Sequence, residues 1–185
     1  PKGYKLVLLN SQVKHELASS AYNDRRKSCE NVVAAMKKHW PNVDSLRDAT
    51  YDMLDEVRPE VSEEDALRAK YVIGEKYRVL EVCVALEEGD YEEVGKKMYE
   101  THYGLSKEYE VSCPELDFLN DVAHSCGVTG SRIMGGGFGG CTINLVSDDL
   151  YANFIETAKK AYKEKFGKEP IVIDVVIGDG SRKLC

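Results

Sequence analysis

The chain has 185 residues, the length of one domain and enough to bury a sizeable core. A hydrophobic share of 43% against a charged share of 31% suits a folded globular protein and excludes a disordered one. A formal net charge of -7 without any Lys/Arg block excludes the basic face of a nucleic-acid binder. No run of about 18 apolar residues is present to span a membrane, and no secretory signal opens the chain.

Lys5–Leu9 predicts a short strand, buried because Leu6, Val7, Leu8 and Leu9 are all apolar. Ser19 or Ser20 is placed to cap a helix with Tyr22, Cys29, Val32, Val33, Met36 and Trp40 on one face, ended by Pro41. Ser45–Leu54 reads as short helical pieces, and Asp55–Glu64 as an acidic loop around Pro59. Ser62 and Asp65 signal the start of a long helix. Ala66, Ala69, Ile73, Tyr77, Leu80 and Val84 keep its three-to-four spacing until Gly89 stops it. Asp90 caps a further helix that runs to about Tyr103. Ser112-Cys113-Pro114-Glu115 has the form of a capping box whose helix buries Leu116, Leu119 and Ala123 and ends before Gly127.

In Cys141–Val146, Cys141, Ile143 and Leu145 alternate with Thr142, Asn144 and Val146 as in a strand. Asp148 or Asp149 caps a helix with Phe154, Ile155, Ala158, Ala161 and Tyr162 inward, closed by Gly167. Ile171–Ile177 is a last strand, too continuously apolar for a one-sided edge. Runs of helices between separated strands predict an α+β fold with a mainly antiparallel sheet. No repeat or internal domain boundary is visible, so residues 1–185 read as one domain. The opening Pro1-Lys2-Gly3, without Met, is expected of a processed product or a piece of a longer chain.

The most informative stretch is Gly130–Cys141, in which six of twelve residues are glycine. Glycine gives up backbone order, so such a run has a use: either N–H groups approaching an anion or two backbones passing closely. The glycines alone do not choose between the two. Gly135, Gly137 and Gly140 satisfy G-x-G-x-x-G, but a dinucleotide fingerprint follows a strand and opens a helix. Here a helix-like segment precedes and a strand follows, so that reading fails. The loop is expected at a helix-to-strand junction on an exposed concave edge.

The six cysteines form no C-x-x-C pair, which excludes a zinc framework and predicts reduced thiols in a cytoplasmic protein. His15, His102 and His124 stand in no paired arrangement with Asp or Cys in the sequence and read as structural or exposed. Asp117 and Glu115 read as cap and surface groups, Arg132 as a brace for the loop, and Arg25 and Arg26 as ion-pairing rather than phosphate-binding groups. Tyr22, by periodicity, is an interior aromatic.

Several blocks stand in one order and spacing: Leu8–His15, Leu17–Arg26 with Cys29-Glu30, Val72–Glu75 with Arg78-Val79, Ala85–Tyr91, Thr101-His102, Tyr109–Asp117, and Met134–Gly140. This ordered set closely resembles the C-terminal half of galactokinases, in the GHMP small-molecule kinase superfamily, over essentially the whole chain. Lys70-Tyr71, Thr101 and Met134 depart from the residues usual there. The resemblance implies a GHMP kinase C-terminal domain of ferredoxin-like shape. It implies transfer of the ATP γ-phosphate to the anomeric hydroxyl of galactose in the whole protein, with Mg2+. The phosphate loop, the magnesium-binding Glu and the catalytic Asp then belong to an N-terminal half outside this chain, which itself holds no catalytic or metal residue. The resemblance makes Tyr22 a sugar contact, against its periodicity. It makes Gly135, Gly136, Gly137, Phe138, Gly139 and Gly140 the lining of the cleft beside the phosphate. Other readings stay open: a non-catalytic sugar and ATP sensor, a related kinase such as one for N-acetylgalactosamine, or a free-standing ligand-binding domain.

Overall fold

Four strands pair into one sheet in the computed structural model, which describes residues 2–14 and 19–181 and, in the first helix, the side chains from Ala21 onward. They are β1 (Tyr4–Asn10), β2 (Gly130–Met134), β3 (Cys141–Ser147) and β4 (Ile171–Val175). The order is β2-β3-β1-β4, and each neighbouring pair is antiparallel. This is the expected α+β architecture, in the strand order of a split βαβ, ferredoxin-like sheet. The helices are α1 (Ser19–His39), α2 (Tyr51–Val57), α3 (Glu63–Glu88), α4 (Tyr91–Lys107), α5 (Pro114–Ser125) and α6 (Tyr151–Phe166).

Register decides which face each side chain joins, because residues paired across antiparallel strands share a face. Val7 opposes Asn144 and Leu9 opposes Thr142. That face packs on α5 and α6 through Leu119, Ala123, Phe154, Ala158 and Tyr162. Thr142 and Asn144 are therefore fully buried, while Cys141 and Ile143, on the other face, are only half-buried. The nitrogen of the amide is compensated, since Asn144 Nδ2 donates to the Val7 carbonyl at 3.2 Å and to Thr142 Oγ1 at 3.1 Å, while its buried Oδ1 has no partner among the described residues. A second core joins α1, α2 and α3 through Val32, Met36, Leu54, Val57, Ala69 and Ile73.

Local signals set most boundaries. Ser62 caps α3 by accepting from the Asp65 N–H at 3.0 Å, and Gly89 ends it at φ 73°. Asp90 caps α4 in the same way. Gly167 closes α6 at φ 73°.

Five expectations need correction. The acidic stretch 55–64 is largely helical: α2 runs to Val57 and a 3-10 turn spans Arg58–Glu60. Pro59 is accommodated because the first turn of a helix needs neither its N–H nor another φ. No capping box opens α5: Cys113 is the N-cap without a side-chain bond, because the Ser112 hydroxyl turns to Asp117. Neither Asp148 nor Asp149 caps α6, which starts after Leu150 with no side-chain cap.

The expected α3 stripe stops half-way: Leu80 is 62% and Val84 54% exposed. At 1.5 Å per residue α3 is about 39 Å long, and nothing among the described residues covers those positions. Finally, β4 is an edge strand with Ile173 41% exposed, because only Val172 faces the α5–α6 layer. The expected cap at Ser19 or Ser20, and the positions of His15 and Cys185, lie outside the described residues. No helix among the described residues is long and apolar enough to cross a membrane.

Candidate functional site

The glycine run joins β2 to β3, so a strand precedes it and the expected helix-to-strand junction is a strand-to-strand one. β2 is too short for its period to be read from sequence, and it forms where α4 presses on it. A Cβ on Gly95 would overlap the Thr129 carbonyl, and one on Gly130 would lie 2.5 Å from Gly95 Cα.

The loop is held from two sides. On one, Phe138 N–H donates to the Val111 carbonyl at 2.6 Å. Gly137 sits at φ 80°, and a Cβ there would overlap that same carbonyl oxygen. On the other, Ser11 N–H and Ser11 Oγ both donate to the Gly140 carbonyl, at 2.9 and 2.8 Å. Gly140 N–H donates to the Val13 carbonyl at 3.3 Å, and a Cβ on Gly139 would come within 2.7 Å of that oxygen. Tyr162, fully buried, fixes Ser11 by donating to its carbonyl at 2.7 Å.

Ahead of these grips, directly after β2, the loop differs. Gly135 and Gly136 are exposed, and a Cβ on either would meet nothing within 4 Å. Among the described residues neither N–H is engaged outside the strand ladder. Gly137 and Gly139 thus serve close backbone approach, while Gly135 and Gly136 present open main chain, which suits an anion. The sequence left those two uses as alternatives; Gly137 and Gly139 serve the close approach, and Gly135 and Gly136 leave room for the other.

The start of α1 reaches the same place. Tyr22 is 57% exposed, so the periodicity that would bury it fails at this end of the helix. One turn on, Arg25 donates through Nε to the Tyr109 carbonyl at 3.1 Å and through Nη2 to the Glu110 carbonyl at 2.7 Å. Its guanidinium lies 5.5 Å from the centre of the Phe138 ring. Arg26 instead pairs with Glu30 in solvent at 2.8 Å. Arg25 thus links the helix turn that carries the exposed Tyr22 phenol to Phe138 of the glycine loop.

Behind that edge lies a cluster that sequence reasoning missed. Asp117 accepts from Ser106 Oγ at 2.9 Å and from Ser112 Oγ, and His102 Nε2 lies 3.2 Å away. An ionised carboxylate only accepts, so His102 Nε2 carries the hydrogen. The pairing bridges 15 positions between two helices, which no local pattern reveals. His102 is only 5% exposed. Burial pushes the Asp117 carboxyl up, but the bonds from His102, Ser112 and Ser106 outweigh it and bring it down to about 2.

A carboxyl lowered on folding contributes stability above its unfolded value of 3.8 and loses it as pH falls towards 2. Asp117→Asn is therefore expected to remove on the order of 1–2 kcal/mol at pH 7 and less at pH 3, discounted because a third of the side chain is exposed. Urea unfolding at the two pH values checks it; an equal loss at both would show that charge plays no part.

The donor set also bears on cofactors. Among the described residues no group of three His, Cys, Asp or Glu side chains is arranged to hold a metal ion. The groups around the loop are N–H donors and Arg25, which fit an anion and not a cation.

The comparisons with known proteins agree in kind. Residues 83–164 match the family described as "GHMP kinases C terminal". The galactokinase of Clostridium beijerinckii is 42% identical over 98% of this chain, and human galactokinase is 41% identical over 97%. The chain spans about half the length of these curated relatives, 47% and 44% respectively. Among solved structures, Lactococcus lactis galactokinase complexed with galactose superposes with a TM-score of 0.90 at 29% identity. That match covers 99% of this chain and 47% of the other. A mevalonate kinase from L. major, at 21% identity and a TM-score of 0.60, shares the fold.

Proposed function

We propose that residues 1–185 are the C-terminal domain of a GHMP kinase, in the form found in galactokinases, on the support of the match over residues 83–164 and of 42% identity to a galactokinase over 98% of the chain. The whole protein transfers the γ-phosphate of ATP to the anomeric hydroxyl of galactose. Tyr22 contacts the sugar: its phenol hydrogen-bonds a sugar hydroxyl while the ring packs beside the cleft. Gly135 and Gly136 line the phosphate side with open N–H groups. Gly137, Phe138, Gly139 and Gly140 hold that lining in shape. The observation that carries this reading is the exposure of Tyr22, 57% on a helix whose period would bury it, one turn from Arg25, whose guanidinium faces Phe138 of the glycine loop.

Phosphoryl transfer works by positioning and charge stabilisation. The residues described here supply positioning. Among them no three His, Cys, Asp or Glu side chains gather to hold a metal ion, so no step here runs through one, and the reading leaves the metal and the base to the other half of the relatives' length. The five described cysteines are free thiols, which supports a reducing, cytoplasmic setting.

The test is Tyr22→Phe in the full-length protein. A hydrogen bond to a neutral hydroxyl is worth on the order of 1 kcal/mol, so kcat/KM for galactose is expected to fall several-fold while KM for ATP holds. Unchanged galactose kinetics would remove Tyr22 from the sugar site.

A further inference from the structure

We propose that Arg25 is a positioning residue, one that sets the distance between the sugar-contacting start of α1 and the glycine loop; this rests on the assignment of Tyr22 and Gly135–Gly136 above. Three consecutive carbonyls carry the argument. Those of Tyr109 and Glu110 accept from Arg25, and that of Val111 accepts from Phe138 N–H. The segment Tyr109–Val111 is thus a strut with α1 bonded to one end and the loop to the other. Arg25 closes the triangle by facing the Phe138 ring.

The strut is held in a conformation it would not choose. Glu110 sits at φ 53°, in the left-handed region that non-glycine residues disfavour. Phe138, at the other end, sits at φ 59°. Such backbone persists only where its surroundings over-determine it. Those surroundings are two arginines. The Glu110 carboxylate lies 3.9 Å from Arg25 and 3.5 Å from Arg68. Arg68, its side chain 7% exposed, is fixed in turn by Glu64 and by Ser28 of α1 at 2.9 Å.

Arg25 is itself only 13% exposed and uses two nitrogens of one planar fork on two neighbouring carbonyls. A lysine keeps the charge but cannot span both. Tyr22 and Gly135–Gly136 stand on different elements, so their separation is set by this bracing.

The experiment uses the full-length protein with galactose and ATP varied separately, alongside melting temperatures. Arg25→Lys is expected to lower kcat about tenfold or more, since displacing a bound group by ~1 Å can cost up to a hundredfold, with KM for ATP within about twofold. Phe138→Leu is expected to act in the same direction but less. The double variant should be no worse than Arg25→Lys alone, because both act through one contact. Losses that track melting temperature and vanish on cooling would overturn the proposal, as would additive effects. If Arg25→Lys does not fold, Phe138→Leu decides, and wild-type kcat there would overturn it. Tyr22→Phe in the same assay separates the two readings. No effect of Tyr22→Phe on galactose kinetics defeats the site assignment. An effect of Tyr22→Phe with none from Arg25→Lys defeats only the positioning role.

Discussion

Gly137→Ala is expected to destabilise the protein by on the order of 3 kcal/mol, which lowers the melting temperature by roughly 10 °C in a chain of this size. Two costs add. Alanine at φ 80° is strained, and its Cβ would overlap the Val111 carbonyl oxygen. Relief requires either the Phe138–Val111 hydrogen bond or the strut to give way. In the full-length protein, phosphate transfer should fall with it, because the open part of the loop loses its anchor. Gly136→Ala is the contrast. It has no unusual φ, and a Cβ there meets nothing within 4 Å. Its stability should stay within about 0.5 kcal/mol of wild type, while KM for ATP rises as the methyl group crowds the open backbone. Thermal unfolding and steady-state kinetics on the pair check both halves. A wild-type melting temperature for Gly137→Ala would show that the loop moves freely from Val111.

These 185 residues by themselves are expected to transfer no phosphate from ATP to galactose, and to bind either ligand weakly. A cleft assembled from two halves loses both positioning and charge stabilisation when one is missing. Among the described residues His102 is buried against Asp117, and no acid pairs or hydrogen-bonds with Tyr22. Val79, Leu80, Val84 and Leu86 form an exposed apolar strip on α3, which should also make the chain self-associate as concentration rises. The measurement is labelled phosphate transfer with this chain alone, then with a separately produced N-terminal half added. Turnover by the chain alone, lost on altering one of its residues, would put catalytic machinery here and contradict the proposed division of labour.

The sequence by itself determined what depends on neighbours along the chain. Ser62, Asp90, Gly89 and Gly167 set helix ends through bonds and dihedral angles reaching only a few residues, and each stands where it was read. The ordered motifs likewise carried the family resemblance, and the α+β class followed from the succession of helices and strands. Tertiary structure alone decided everything that depends on what lies opposite. Tyr22, Leu80 and Val84 satisfy helical periodicity yet are exposed, because periodicity says which residues share a face and not whether anything covers it. Thr142 and Asn144 go inward because register with Val7 and Leu9 outweighs the polarity of two side chains that can bond each other. The two uses of the glycine run separate only when Val111 and Val13 are brought against it from distant parts of the chain. The same holds for Arg25 on the Tyr109 and Glu110 carbonyls, and for His102 with Asp117: contacts between groups far apart in sequence leave no local period, because the free energy that forms them comes from packing whole elements together.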